Sequence, residues 1–195
     1  MTKLPLFPLR LVLFPDGRLD VRVFEQRYMD MISACLKTSS SFGVCLIKQG
    51  AEVGPAAEPH AVGTLADVVY CDMGQPGILQ VCARGGARFR ICATEVRKDQ
   101  LLVADVDVLP EHGAPIPGHH SRLTQALRQL LAQVGPESHF SPPRWDDASW
   151  VGGRLAELLP LPVSLKQALL EMDEPAARLD VLAEFFLDAS GAPNP

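Results

Sequence analysis

Asparagine is almost missing from this 195-residue sequence: it occurs only at Asn194, and five lysines stand against thirteen arginines. That skew is the bias of a GC-rich bacterial genome. No stretch approaches the roughly 20 consecutive apolar residues that a membrane-crossing helix needs. The opening, Met1-Thr2-Lys3-Leu4-Pro5-Leu6, has no charged-then-apolar region, so no secretory leader is expected. None of the 15 glycines precedes a lysine, which removes the phosphate-cradling loop of an ATPase. G-x-S-x-G, H-E-x-x-H and S-x-x-K are all missing, and no two cysteines have the C-x-x-C spacing of zinc or redox sites. Catalytic groups can still converge from distant positions. On motifs alone, however, no catalytic residue, cofactor or metal is expected. Aromatic residues are only 6%, too few for a clustered stacking platform. The net charge of −5 also argues against a nucleic-acid or anionic-membrane surface.

What is present is the composition of a folded protein. Apolar residues make up 47% and charged residues 21%. A chain of this size buries about 70% of the surface its unfolded form exposes, so it can build a real core. The five cysteines (Cys35, Cys45, Cys71, Cys82, Cys92) are odd in number, spread out, and set among apolar residues. Reduced, buried thiols in a cytoplasm fit that pattern better than disulfides.

Residues 1–110 read as strands with one helix. Prolines in Leu4–Leu9 predict an edge strand running into a loop. Pro15-Asp16-Gly17 makes a turn in which the glycine takes the reversed dihedral. Leu19–Val23 alternates apolar and polar residues, as a half-buried strand does. Phe24, Tyr28, Ile32 and Cys35 lie on one stripe of a helix covering Glu25 to Lys37. Strand-like runs follow at Phe42–Ile47, Val62–Tyr70, Ile78–Arg84, Arg88–Cys92 and Leu101–Leu109, with a turn at Gly74–Gly77. Many short strands and one helix predict a small barrel-like sheet. Residues 111–118 read as a Pro/Gly/His linker, and 119–190 as a bundle of four amphipathic helices. The stripes are Leu123, Leu127, Leu130, Leu131 and Val134, stopped by Gly135-Pro136; then Val151, Leu155 and Leu158; then Leu165, Leu169 and Met172 behind Pro162. Leu179, Leu182, Ala183, Phe186 and Leu187 form the last.

Two clusters invite a chemical reading. His112, His119, His120 and His139, with Asp146 and Asp147, have the ligand types of a metal site. The simpler reading is solvated polar residues on connections. Arg84, Arg88, Arg90, Arg97 and Lys98 around Phe89 could serve nucleic acid. The simpler reading there is that Arg88 and Arg90 are the outward members of a strand whose inward members are Phe89 and Ile91. Gly85-Gly86 is no phosphate cradle, because no helix follows it.

The chain is identified as a member of a known family on motifs that run in order. Leu4–Arg10, Leu13-Phe14-Pro15 and Val23–Tyr28 resemble the opening of the Lon protease N-terminal (substrate-binding) domain. Phe42-Gly43-Val44 and Val62–Ala66 are similar to its next strands. Ala83–Ile91 is similar to its glycine-arginine hairpin, and Leu158–Pro162, Lys166–Glu171 and Arg178-Leu179 to its helical half. The resemblance implies an α+β fold: a PUA-like β pseudo-barrel followed by a small C-terminal helical bundle. Phe7, Leu13, Phe24, Phe89 and Ile91 are then expected in the core. The sequence departs from a full Lon protease, in which an ATPase module and a Ser-Lys peptidase domain follow, so a stand-alone module without them is expected. The role implied is non-catalytic recognition of unfolded or partner protein, as an adaptor in proteolysis or quality control beside a separate protease. Two alternatives stay open: an RNA- or nucleotide-binding PUA-like surface, and an enzyme with an unrecognised site. A surface that recognises unfolded protein needs exposed apolar area. Leu9, Leu13 and Phe14, left beside an edge that prolines keep unpaired, with Tyr28 as a wall, are the candidate protein-binding residues. The competing reading is that these residues fill the barrel.

Overall fold

The computed structural model describes residues 3–135 and 141–191, the last five of these by backbone alone. Pro136, His139 and the Leu187 side chain, which figure in the expectations above, lie outside the described residues. The chain divides into two compact units, Met1–Pro110 and Glu111–Pro195.

The first unit carries strands β1 (Leu4–Leu9), β2 (Arg18–Val23), β3 (Phe42–Gln49), β4 (Glu58–Pro59), β5 (Val62–Gln75), β6 (Ile78–Val96) and β7 (Leu102–Val108). Helix α1 (Gln26–Thr38) lies between β2 and β3. β1, β7, β6, β5 and β3 follow one another around a circuit, which a parallel β1–β3 pairing closes. β2 adds to β6 and the two-residue β4 adds to β3.

Alternate residues bury two separate sets. Leu6, Cys45, Phe89, Leu102 and Ala104 pack on one face of the strands. Phe7, Leu9, Phe42, Val44, Ala66 and Val103 pack on the other, where Tyr28, Met31, Ile32 and Cys35 of α1 cover them. Phe89 fills its face because Gly43 and Gly63 leave room. A Cβ on either would lie 2.7 or 2.8 Å from the Phe89 ring.

Four sequence expectations need correction. β1 is no edge strand, since it pairs with β3 along Leu6–Leu9 and with β7 at Leu4 and Pro5. A proline deletes only its own donor, and its carbonyl and its neighbours' groups keep the ladder. There is no hairpin at Gly85-Gly86, because β6 runs unbroken through both and joins two runs read as separate strands. The left-handed residue of the Pro15–Gly17 turn is Asp16, with φ 61°; Asp is among the residues that tolerate that region. Finally, Phe24, expected on the buried helix stripe and in the core, stands 55% exposed ahead of α1, which begins at Gln26 within one residue of the expected start.

The second unit holds a 3-10 turn (Gly118–His120) and helices α2 (Ser121–Val134), α3 (Ala148–Leu158), α4 (Val163–Glu171) and α5 (Pro175–Gly191). Leu123, Leu127 and Leu131 bury the stripe of α2, whereas Val134 is exposed. Asp147 caps α3 by accepting from Ser149 N at 3.0 Å. Arg178, buried, donates to the carbonyls of Leu169 and Met172 at 2.9 and 2.7 Å and so satisfies the end of α4. Residues 114 and 115 are anchored here as well: Ala148 N donates to Ala114 O at 2.7 Å, and Pro115 bridges to Asp147.

Candidate protein-binding groove

The VFEQRY segment sets the geometry. Val23 ends β2, Phe24 projects outward, and Glu25 opens α1. Arg27 is buried. Its Nη1 donates to Gln100 O at 2.8 Å, its Nη2 pairs with Glu25 at 3.0 Å, and its guanidinium lies 4.5 Å from the Tyr28 ring centre. Tyr28 stacks on Phe7 with ring centres 4.3 Å apart. Burial pushes the Tyr28 hydroxyl above its ordinary pKa, so the ring stays neutral. Across from these, Arg10 N donates to Glu52 at 2.6 Å and holds the loop that carries Val53.

A groove of about 360 Å³ lies between them. Its floor is Phe7, Leu9 and Tyr28, all buried, and its rim is Phe24 and Val53, each 55% exposed. Four consecutive β2 residues, Asp20 to Val23, border it. Successive side chains of a strand point to opposite faces, so four in a row mean that the groove follows the strand's edge. Among the described residues β2 pairs with β6 alone, which leaves the outward backbone groups of that edge without a strand partner.

The sequence-derived residues divide. Leu9 and Tyr28 reach the groove floor, whereas Leu13 and Phe14 do not line it. The expectation that Leu9, Leu13 and Phe14 are left exposed is corrected: they are 5%, 3% and 1% exposed. Leu9 packs into the core cluster on the face that α1 covers. Thr64 Oγ1 donates to Leu13 O at 2.6 Å, and Asp16 N to Gly85 O at 2.8 Å, which fold the loop over Phe14. Sequence reasoning missed Phe24 as a surface residue and missed Val53. The signal for Phe24 was its place before Glu25, at the end of the helix and not within it.

The arginines do not gather on one exposed face. Arg88 is buried, contrary to its outward assignment. Arg84 Nε bonds Asp16 at 3.2 Å, and of these four arginines only Arg90 and Arg97 are exposed. In the second unit His119, His120 and Asp180 come together, whereas Asp146 and Asp147 do not join them. Of the cysteines, Cys35, Cys45 and Cys82 are buried as expected and Cys92 is exposed. Burial pushes the Cys45 thiol up to about 12.

The model of the ATP-dependent protease La (LON) substrate-binding domain matches residues 3–187. The chain belongs to that family. Lon protease 2 of Myxococcus xanthus is 29% identical over 93% of this chain. The match takes in only 23% of that protein, so this Lon-type chain spans less than a quarter of the curated relative. A crystal structure of a Lon N-terminal domain protein from Xanthomonas campestris is 38% identical with a TM-score of 0.79, covering 94% of this chain and 98% of that one. The N-terminal domain of a Mycobacterium avium complex Lon protease shares the fold at 18% identity and a TM-score of 0.66, over 96% of this chain and 99% of that one. The α+β architecture, a mainly antiparallel sheet followed by helices, is therefore that of Lon N-terminal domains.

Proposed function

We propose that this Lon-type chain is a non-catalytic protein-binding module that holds extended segments of unfolded polypeptide in the β2 groove. One observation carries the reading: an open strand edge runs beside an apolar floor with two exposed apolar residues at its rim. Unfolded chains share two features, unpaired backbone and exposed apolar side chains, and this groove offers a complement to both. A client strand would add to β2 through main-chain hydrogen bonds, and alternate side chains would enter over Phe7, Leu9 and Tyr28. The family supports the protein-binding role. An adaptor in proteolysis or quality control, passing clients to a separate protease in the cytoplasm, is the setting such a module fits. No helix of the described residues is long and apolar enough to cross a membrane.

The test uses fluorescence anisotropy of a labelled, permanently unfolded model protein. Phe24→Ser with Val53→Ser removes rim area without touching the buried floor. The expected outcome is at least a tenfold loss of affinity, about 1.4 kcal/mol, with an unchanged melting temperature. Unchanged binding in a folded double variant sinks the groove. ATP hydrolysis or casein cleavage that copurifies with the chain would sink the non-catalytic reading.

A further inference from the structure

We infer that His119, His120 and Asp180 form a binding site for one divalent transition-metal ion of the zinc class. Among the described residues they are the one group of three metal-ligating side chains whose donor atoms all lie within 4.8 Å of one another. His120 Nε2 stands 2.7 Å and His119 Nε2 3.7 Å from the same oxygen, Asp180 Oδ1. The two imidazoles face each other with ring centres 4.0 Å apart and planes inclined by 52°.

The geometry is close to what coordination requires. Zinc lies about 2.0–2.2 Å from imidazole nitrogen and carboxylate oxygen, which in a tetrahedron places two donors about 3.4 Å apart. The two distances to Asp180 Oδ1 fall on either side of that value and all three donor atoms lie within 4.8 Å of one another, so side-chain adjustment alone brings them to coordination spacing. Two imidazoles and one carboxylate are the donors that zinc, cobalt(II) and nickel(II) take, whereas calcium and magnesium take oxygen alone. His120, with a side chain 5% exposed, is fixed by burial, and His119, at 70%, faces solvent. The coordination position left over is therefore open to water.

The site has a structural use. His119 and His120 sit in the 3-10 turn that leads into α2, and Asp180 lies in α5. An ion held by all three clips the first and last helices of a small bundle together, and small helical units gain most from such a staple. Its chemistry is independent of the groove on the first unit, so either reading can fail without the other.

The experiment titrates the full chain, tag-free and stripped with chelator, with zinc by calorimetry and with cobalt(II) by visible absorption. One equivalent of zinc, a rise in melting temperature, and cobalt d–d bands of low coordination number are expected. His119→Ala, which removes an exposed ligand and leaves the buried contacts in place, is expected to lower affinity at least tenfold and abolish the cobalt bands. Asp180→Ala is expected to do the same. No zinc binding by the parent chain overturns the proposal, as does a folded His119→Ala variant that binds as tightly as the parent.

Discussion

Gly85 owes its identity to its neighbours. A Cβ there would lie 2.2 Å from the carbonyl oxygen of Phe14, a backbone atom that no rotamer change can move. The same contact is stitched by hydrogen bonds, Asp16 N to Gly85 O and Gly85 N to Gly17 O, each 2.8 Å. Gly85→Ala must therefore push the Phe14–Gly17 turn away, and overpacking of this kind costs about 1–3 kcal/mol. Equilibrium urea denaturation should show a lower midpoint with an unchanged slope. A midpoint within error of the parent would mean that the turn moves freely. Sequence alone offered Gly85 only as a turn residue, because the close approach is to a segment some seventy positions away that no local pattern reports. Arg88 and Phe24 misled for related reasons. Alternation does put Arg88 and Phe89 on opposite faces, and the register against β5 holds from Arg88 to Arg90, but alternation does not report whether the face opposite Phe89 is covered as well. Phe24 continues the spacing of Tyr28 and Ile32, but periodicity says nothing about where the first helical turn begins.

Among the elements, helices were more legible than strands. Each of the four C-terminal stripes became a helix, with Gly135 after α2, Pro162 before α4 and Pro175 opening α5. Those signals are local, so they can be read without knowing what packs where. The strands depended on partners. Leu4–Leu9 was marked as an edge by its prolines, yet two long-range neighbours flank it. Leu101 to Ala104 are buried in succession because both faces of that end of β7 are covered, Leu102 and Ala104 packing on one and Leu101 and Val103 on the other. Capping gives a test at this scale. Asp147 accepts from the Ser149 and Trp150 N–H groups at the start of α3. Asp147→Ala should cost about 0.5–2 kcal/mol, while Asp147→Asn, which keeps an acceptor, should recover most of it. Equal losses in calorimetry for the two variants would assign the effect to charge instead of capping.

At the scale of the whole molecule, the boundary near residue 110 makes fragment experiments informative. We propose that 1–110 and the helical segment are separate folding subdomains. The 111–118 stretch then serves as more than a linker, because Ala114 and Pro115 bond to the start of α3. A fragment of residues 111–195 should therefore show more helical circular dichroism and a higher melting temperature than 119–195, which loses both contacts. Four short helices without them are marginal, as single small cores generally are. Sharp, identical melting of the two fragments would overturn the assignment of 111–118 to the bundle.

The circuit of strands is closed by its first member: Leu4 and Pro5 meet Ala104 and Val103, and Leu6 to Leu9 meet Gly43 to Leu46. During synthesis the segment that emerges first must therefore wait until almost the whole barrel sequence has followed before both its partners exist. Sequence separation of this kind slows folding, and a waiting apolar strand is a template for pairing with other chains. Pro5 and Pro8 break the row of donors that such a mispairing would use, at positions where the finished ladder tolerates the loss. The two prolines thus act as gatekeepers on the nascent chain, guarding against aggregation a strand that the native fold later shields on both sides.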